Sequence, residues 1–458
     1  MLLNISRRGK VVEVISQKQL SENTQITLKS GYVAKKYIER IAKFLFSRNL
    51  KSIEMLILAV LLFGVYSGNL LSVEFQPDET FWIVSSTRFD EFLKGEFNSR
   101  IWTDAPLISF EVRPIPSYMV AIGQRVGGVN SDSLPIYWDW SLPKEENISR
   151  GARPSTRVLW WSRLPMALLS VFCLLGTILL LAKAHSRIAA YLFALIGINE
   201  YFLLHLRRAM SEAPLLLFTV LVLYASFKLL MVIQENSMKK IILWSVIAGI
   251  LSGMAGQSKL TGLACAGIAI LGTLILISRP TYFSQIPRGR TLLVVSFIVV
   301  CTSLLVFFAS YPFFYRNTLH RVLTTFYIRG QIVEAQVNQY TDQTIQSNER
   351  HYILFQRIFR YPLGLRTNNT PDSLFHWINF LVIVFGLSYS IKQIGMKMEN
   401  QEFFIVLVLG TLVCAAPMLF VPFDWDRYYL YPIFFSCIFF SIGMGQLLFI
   451  GFHISKNQ

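Results

Sequence analysis

Asp78 and Glu79 stand side by side in the stretch VEFQPDETFW, a few residues beyond the first long apolar run. A carboxylate there can take a proton from a hydroxyl held at a membrane surface. The same residues also make a good helix start, with proline at the first position and acids in the first turn. Cations that would complement the pair come from several separate stretches. Arg113 lies in FEVRPIPSYMVAIGQRVGG, where two prolines fix its backbone on a rigid turn. Arg163 lies in WWSRLPMALL, about one and a half turns into an apolar run, where a charge is costly unless it meets an anion or snorkels. Arg207, Arg208 and Glu212 share the hairpin RRAMSEAPL, Lys259 sits among small residues in GQSKLTGL, and Arg427 follows two aspartates in PFDWDRYYLYP. Singly, each reads equally as an exposed loop arginine or an interface anchor. Together they put carboxylates in one loop and guanidinium or ammonium groups in several others at one membrane depth. Transfer of a group from an anionic lipid to an acceptor hydroxyl asks for that combination: cations to hold and neutralise a phosphate, and a carboxylate to receive the acceptor's proton. A phosphate paired with cations leaves readily, so no separate general acid is required.

The elements that must position these residues are apolar spans. Of 458 residues, 53% are hydrophobic and only 15% charged, and the mean hydropathy is +0.47, which is too apolar for a soluble chain of this length. Runs long enough to cross roughly 30 Å of hydrocarbon fall near Ile53–Leu71, Val158–Ala182, Ile188–Leu206, Ala213–Ile233, Ile241–Gly256, Leu260–Ile277, Leu292–Phe314, Phe375–Ile391, Phe403–Val421 and Tyr428–Ile450. The expected fold is therefore an all-α polytopic membrane protein with about ten transmembrane helices, within a range of roughly nine to twelve where Gly and Pro interrupt a run. With the N-terminus in the cytoplasm, the short inside loops carry Lys183, Arg187, Lys228, Lys239, Lys240, Arg279, Arg288, Arg290, Lys392 and Lys397. The short outside loops carry only Arg207, Arg208, Lys259 and Arg427. That asymmetry orients the chain with both termini cytoplasmic and places it in a plasma or inner membrane. Residues 1–52 then form a basic cytoplasmic segment, with an amphipathic interfacial helix over Lys35–Lys51 and no cleaved signal. Residues 53–458 form the transmembrane domain. Two long loops, 72–157 and 315–374, lie outside; the first is expected to hold short juxtamembrane helices and the chemistry.

The formal charge of +16 belongs to helix-flanking residues, so no nucleic-acid partner is expected; the bilayer is. Cys173, Cys265, Cys301, Cys414 and Cys437 all lie in apolar runs and read as small core residues. His320, His351 and His376 lack ligand spacing, and no metal site is expected from them, although the sequence leaves a divalent metal undecided. Aromatic residues in PIYWDW and around Tyr311–Tyr315 suit either sugar stacking or interfacial anchoring. The sequons at Asn147 and Asn368 would matter only in a eukaryotic secretory membrane. A polytopic transporter is the main rival class, but the spans lack charges deep at the midplane and show no repeated half.

PDET after the first helix, R-P-I-x-x-Y-x-x-x-I-G-Q-x-x-x-G from Arg113, the R-L-P entry, RRAMSEAPL, SKLTG and DRYYLYP together resemble the GT-C glycosyltransferases. The chain is most similar to the protein O-mannosyltransferase and aminoarabinose transferase group, over Glu74 to Pro432. The resemblance implies a GT-C-like fold and transfer of a sugar, with inversion, from a polyprenyl-phosphate donor on the extracytoplasmic side. It implies Asp78 as catalytic base with Glu79 beside it, and Arg113 on the lipid phosphate, where the aminoarabinose enzymes carry Lys. Arg163, Lys259 and Arg427 become candidate second clamps on the donor. The mannosyltransferases carry a large extracytoplasmic domain where this chain has a sixty-residue loop, so the acceptor stays open among protein, lipid and glycan. A non-catalytic lipid-linked sugar or polysaccharide assembly protein on the same scaffold is a further alternative.

Overall fold

The computed structural model describes residues 40, 43–47, 50–103, 107–279, 288–346, 349–362, 374–396 and 400–457. The amphipathic helix expected over Lys35–Lys51 falls mostly outside them, as does the sequon at Asn368. Among the described residues, helices dominate and the sole extended pairing is an isolated bridge between Thr344 and Phe423.

Among the described residues, eight helices are long and apolar enough to cross a membrane: Thr156–Ala184, Glu212–Gln234, Met238–Ser258, Leu260–Ile277, Gly289–Ala309, Leu374–Gly395, Gln401–Met418 and Asp426–Ile454. The first expected span is a shorter apolar helix, Ser52–Ser67. The run Ile188–Leu206, expected as one span, is two pieces, Arg187–Ile196 and Glu200–His205. The break has a local cause. Asn199 caps the second piece by accepting from the Phe202 backbone N–H at 2.9 Å, a stronger preference for this residue type than continuing a helix. Tyr66 of the first helix donates to the Gly197 carbonyl freed at the break, at 2.6 Å.

The main core joins Thr156–Ala184, Glu212–Gln234, Gln401–Ala415 and Leu430–Asn457 through residues such as Leu174, Leu216, Phe404 and Phe434. Two-thirds of the most apolar stretch of Glu212–Gln234 is buried within the protein, against 22% for Gly289–Ala309, which therefore stands at the periphery. Short helices fill the segment after the first apolar helix: Glu79–Ser85, Arg88–Lys94, Arg100–Thr103, Leu107–Glu111, Pro114–Val126 and Lys144–Ser149. The Tyr315–Leu374 segment, read in the sequence only as a loop, carries two more amphipathic helices, Thr318–Gln339 and Arg350–Arg360.

Candidate active site

The cavity of interest, of about 1010 Å³, is bounded by residues 76–82, 110–113, 204–212, 258–261 and 325–343 and by the turn before the last helix. Asp78, Arg113, Lys259 and Arg427 all line it. Glu79 and Arg163 do not: they lie beneath it, paired to each other at 2.6 Å, both side chains at 0% exposure.

The division between neighbours Asp78 and Glu79 follows from helix geometry. Asp78 is the residue before Glu79–Ser85, so its side chain points away from the first turn. Successive helical residues diverge by about 100°, which sends Glu79 inward. There Glu79 accepts from Arg163 Nε at 2.9 Å, from Arg163 Nη2 at 2.6 Å and from the Ala209 backbone N–H at 3.1 Å. Its other bond, from the Gln76 N–H at 3.1 Å, closes the turn that carries Asp78. Arg163 also donates to the carbonyls of Leu70 (2.7 Å), Val73 (2.8 Å) and Glu74 (3.3 Å). One guanidinium thus fixes the chain leaving the first apolar helix and the start of the acid-bearing helix, and Glu79 in turn holds the RRAM turn through Ala209. Thr80 adds a further tie by accepting from the Trp138 N–H at 3.1 Å.

Asp78 pairs with Arg427, whose guanidinium also lies 5.1 Å from the Trp425 ring centre and 5.5 Å from that of Tyr428. Lys259 pairs with Glu212 at 3.7 Å and sits over the Tyr428 ring at 5.2 Å. It follows the Met238–Ser258 helix in the SKLTG turn, where Gly262 is required because a Cβ would collide with the Ala255 carbonyl. Arg113 precedes Pro114–Val126 with extended backbone. That helix seats against Thr156–Ala184 at Gly123, where a Cβ would strike the Trp161 carbonyl and the Pro165 ring. Arg113 is 5% exposed, faces the rings of Phe307 and Phe314, and its Nη1 has no hydrogen-bond partner among the described residues. Burial lowers its pKa, with Arg329 also unfavourable.

The cavity gathers more charge than the sequence singled out. Arg208, Glu212 and Glu111 belong to stretches already noted around the site residues. Arg329 and Arg357 do not: they come from helices whose pattern signals an interface and nothing chemical. Arg329 pairs with Glu111 at 3.2 Å. Arg357 bonds to Asp424 at 2.6 Å and Asp426 at 2.8 Å; burial opposes its charge, but the two carboxylates more than offset that and raise its pKa. His205 is 6% exposed with Nε2 unpartnered, and burial, reinforced by Arg208, Arg427 and Lys259, lowers its pKa to about 3. It is a neutral imidazole. Among the described residues no three His, Cys, Asp or Glu side chains gather as a metal site. Asn147 of the first sequon is buried, its amide bonded to the carbonyls of Asp139 and Leu142, so it braces the PIYWDW loop.

One comparison bears on the family likeness over part of the chain. Residues 141–325 match the family model of dolichyl-phosphate-mannose-protein mannosyltransferase. The match includes Arg163 and Lys259 and agrees with the mannosyltransferase resemblance carried by the motifs; Asp78, Arg113 and Arg427 lie outside it. A search of curated proteins gave no match. Among solved structures, the chain is similar to the oligosaccharyltransferase AglB from Archaeoglobus fulgidus in complex with an inhibitory peptide and a dolichol-phosphate. That pair has 15% identity and a TM-score of 0.49, over 88% of this chain and 51% of that one. The apo form of the Archaeoglobus fulgidus oligosaccharyltransferase gives 14% and 0.48, over 89% and 52%. The S. cerevisiae protein O-mannosyltransferase Pmt1-Pmt2 complex bound to the sugar donor gives 16% and 0.39, over 73% and 39%. The chain thus spans about half the length of the archaeal structures it matches. It is an integral membrane protein.

Proposed function

We propose that this chain is a membrane glycosyltransferase that moves a sugar from a polyprenyl-phosphate donor to an acceptor hydroxyl, with inversion at the anomeric carbon. The observation that carries this reading is the carboxylate of Asp78 lining a cavity with Arg113, Arg208, Lys259 and Arg427, while the other lining carboxylates, Glu111, Glu212, Asp424 and Asp426, pair with Arg329, Lys259 and Arg357. Asp78 takes the proton of the acceptor hydroxyl, whose oxygen attacks the anomeric carbon. The bond from that carbon to the phosphate oxygen breaks, and the electron pair leaves with the polyprenyl phosphate. Arg113 is the primary phosphate ligand: its unpartnered Nη1 supplies a donor inside a largely apolar wall, where a charge-assisted bond is strong. Lys259 and Arg427 neutralise charge as it grows on the leaving group. Glu79 and Arg163 act through position alone, by setting the turn on which Asp78 sits.

The cavity is proposed to face the extracytoplasmic side, with the N-terminus cytoplasmic, on the strength of the Lys and Arg asymmetry between short loops. A transporter fits less well, because the charges cluster at one end of the spans. The test is transfer of a radiolabelled sugar from a polyprenyl-phosphate donor by the reconstituted chain and by Asp78→Asn. Transfer that survives in the variant would refute the assignment.

A further inference from the structure

The helix Thr318–Gln339 begins nine residues after the peripheral Gly289–Ala309 helix ends, and its first half carries an apolar stripe that none of the described residues covers. Leu319 is 73% exposed, Leu323 60%, Phe326 57% and Tyr327 67%. The spacing i, i+4, i+7, i+8 puts all four on one face. The opposite face is committed elsewhere. Thr325, Arg329, Ile332 and Gln336 line the cavity, and the buried Arg321 donates to the Trp102 carbonyl at 2.8 Å. The preceding helix is exposed in the same way, with Phe297 and Leu305 as open as Leu319. Beyond the stripe the exposed positions become polar, with Gln331, Glu334 and Asn338. Tyr315 and Arg316, both exposed, mark the start of the helix with residue types suited to a headgroup layer.

We infer that Thr318–Gln339 lies in the lipid headgroup boundary, with Leu319, Leu323, Phe326 and Tyr327 immersed among acyl chains and the opposite face forming a wall of the cavity. The occupant of the stripe is the bilayer itself, because the stripe follows an apolar span long enough to cross a membrane of which only 22% is buried within the protein. The inference does not depend on which reaction the cavity performs.

The test uses the full chain in phosphatidylcholine and phosphatidylglycerol nanodiscs, with Cys301→Ser to remove the exposed native thiol, since the other four cysteines are buried. A nitroxide is attached at Leu319→Cys, Leu323→Cys, Phe326→Cys, Gln331→Cys and Asn338→Cys, all at exposed positions. Collision with oxygen should exceed collision with a water-soluble nickel chelate several-fold at the first three sites and reverse at the last two. Equal nickel access at Leu323→Cys and Gln331→Cys would overturn the inference in favour of a water-facing helix. Protection from both reagents would overturn it in favour of a second copy or a protein partner on the stripe.

Discussion

Arg163 holds Glu79 in a two-point ion pair, with contacts of 2.6 and 2.9 Å, and neither side chain reaches solvent. The pair costs desolvation to bury, so its value lies in what it fixes: one guanidinium binds the chain from Leu70 to Glu79 onto the Thr156–Ala184 helix, and Glu79 ties in the Ala209 turn. Removing Arg163 strands a carboxylate in an interior site. Arg163→Ala should lower the unfolding free energy by about 3–5 kcal/mol, read as a fall in the thermal midpoint in detergent. Arg163→Lys keeps the charge but loses the fork and should fall between.

Asp78→Asn should lower that midpoint less than Arg163→Ala does, because the pair it weakens, with Arg427, is partly exposed, the amide is almost the same size and the Glu79–Arg163 pair is untouched. Sugar transfer should fall by about 10²–10⁴-fold, the usual contribution of a positioned base. Both quantities come from one purified sample. A large drop in stability alongside the loss of transfer would make Asp78 structural instead.

Arg113→Ala should weaken binding of polyprenyl phosphate by roughly 10- to 100-fold, on the basis of about 1.5–3 kcal/mol for a hydrogen bond to a charged group. Titration by intrinsic fluorescence or calorimetry measures it. Arg113→Lys should recover part of the affinity, since charge remains while planar geometry is lost. Unaltered binding would take Arg113 out of the mechanism.

His205 gives a pH dependence of definite sign. In the unfolded chain an imidazole protonates near its ordinary pKa of about 6.5; in the folded protein it does so near about 3. Between those values the unfolded state binds the extra proton, so His205 lowers stability progressively as pH falls below 6.5 and has no effect above it. The slope approaches about 1.4 kcal/mol per pH unit at one site. Comparing the thermal midpoints of wild type and His205→Gln from pH 7.5 to 5.5 isolates it. The two curves should run parallel above pH 6.5 and diverge below, with wild type losing more.

Much of this site was legible because its charges sit where apolar runs stop. Asp78, Arg113, Lys259 and Arg427 are each flagged by a turn residue or a span boundary, and each lines the cavity. The different fates of Asp78 and Glu79 were hidden, since adjacent acids look alike until a helix start assigns them opposite directions. Arg163 was ambiguous for a related reason: a charge inside an apolar run signals a partner but does not say which. Arg329 and Arg357 carried no signal, because an amphipathic helix distributes arginines by periodicity and a cavity wall is made by tertiary packing. The divided Ile188–Leu206 run shows the limit of hydropathy, in which Gly197 and Asn199 are outvoted by the surrounding apolar residues although Asn199 starts a new helix through its side chain.

Asp78 and Arg427 are separated by 349 positions, and a ribosome delivers them in that order. Through most of synthesis the acid is without its counter-ion, while the contacts of Arg163 with residues 70–79 can already form. The pocket becomes electrically complete only when the final hairpin enters the bilayer. A nascent chain halted before that point would hold a nearly finished membrane bundle around a cavity that still lacks one of its cations.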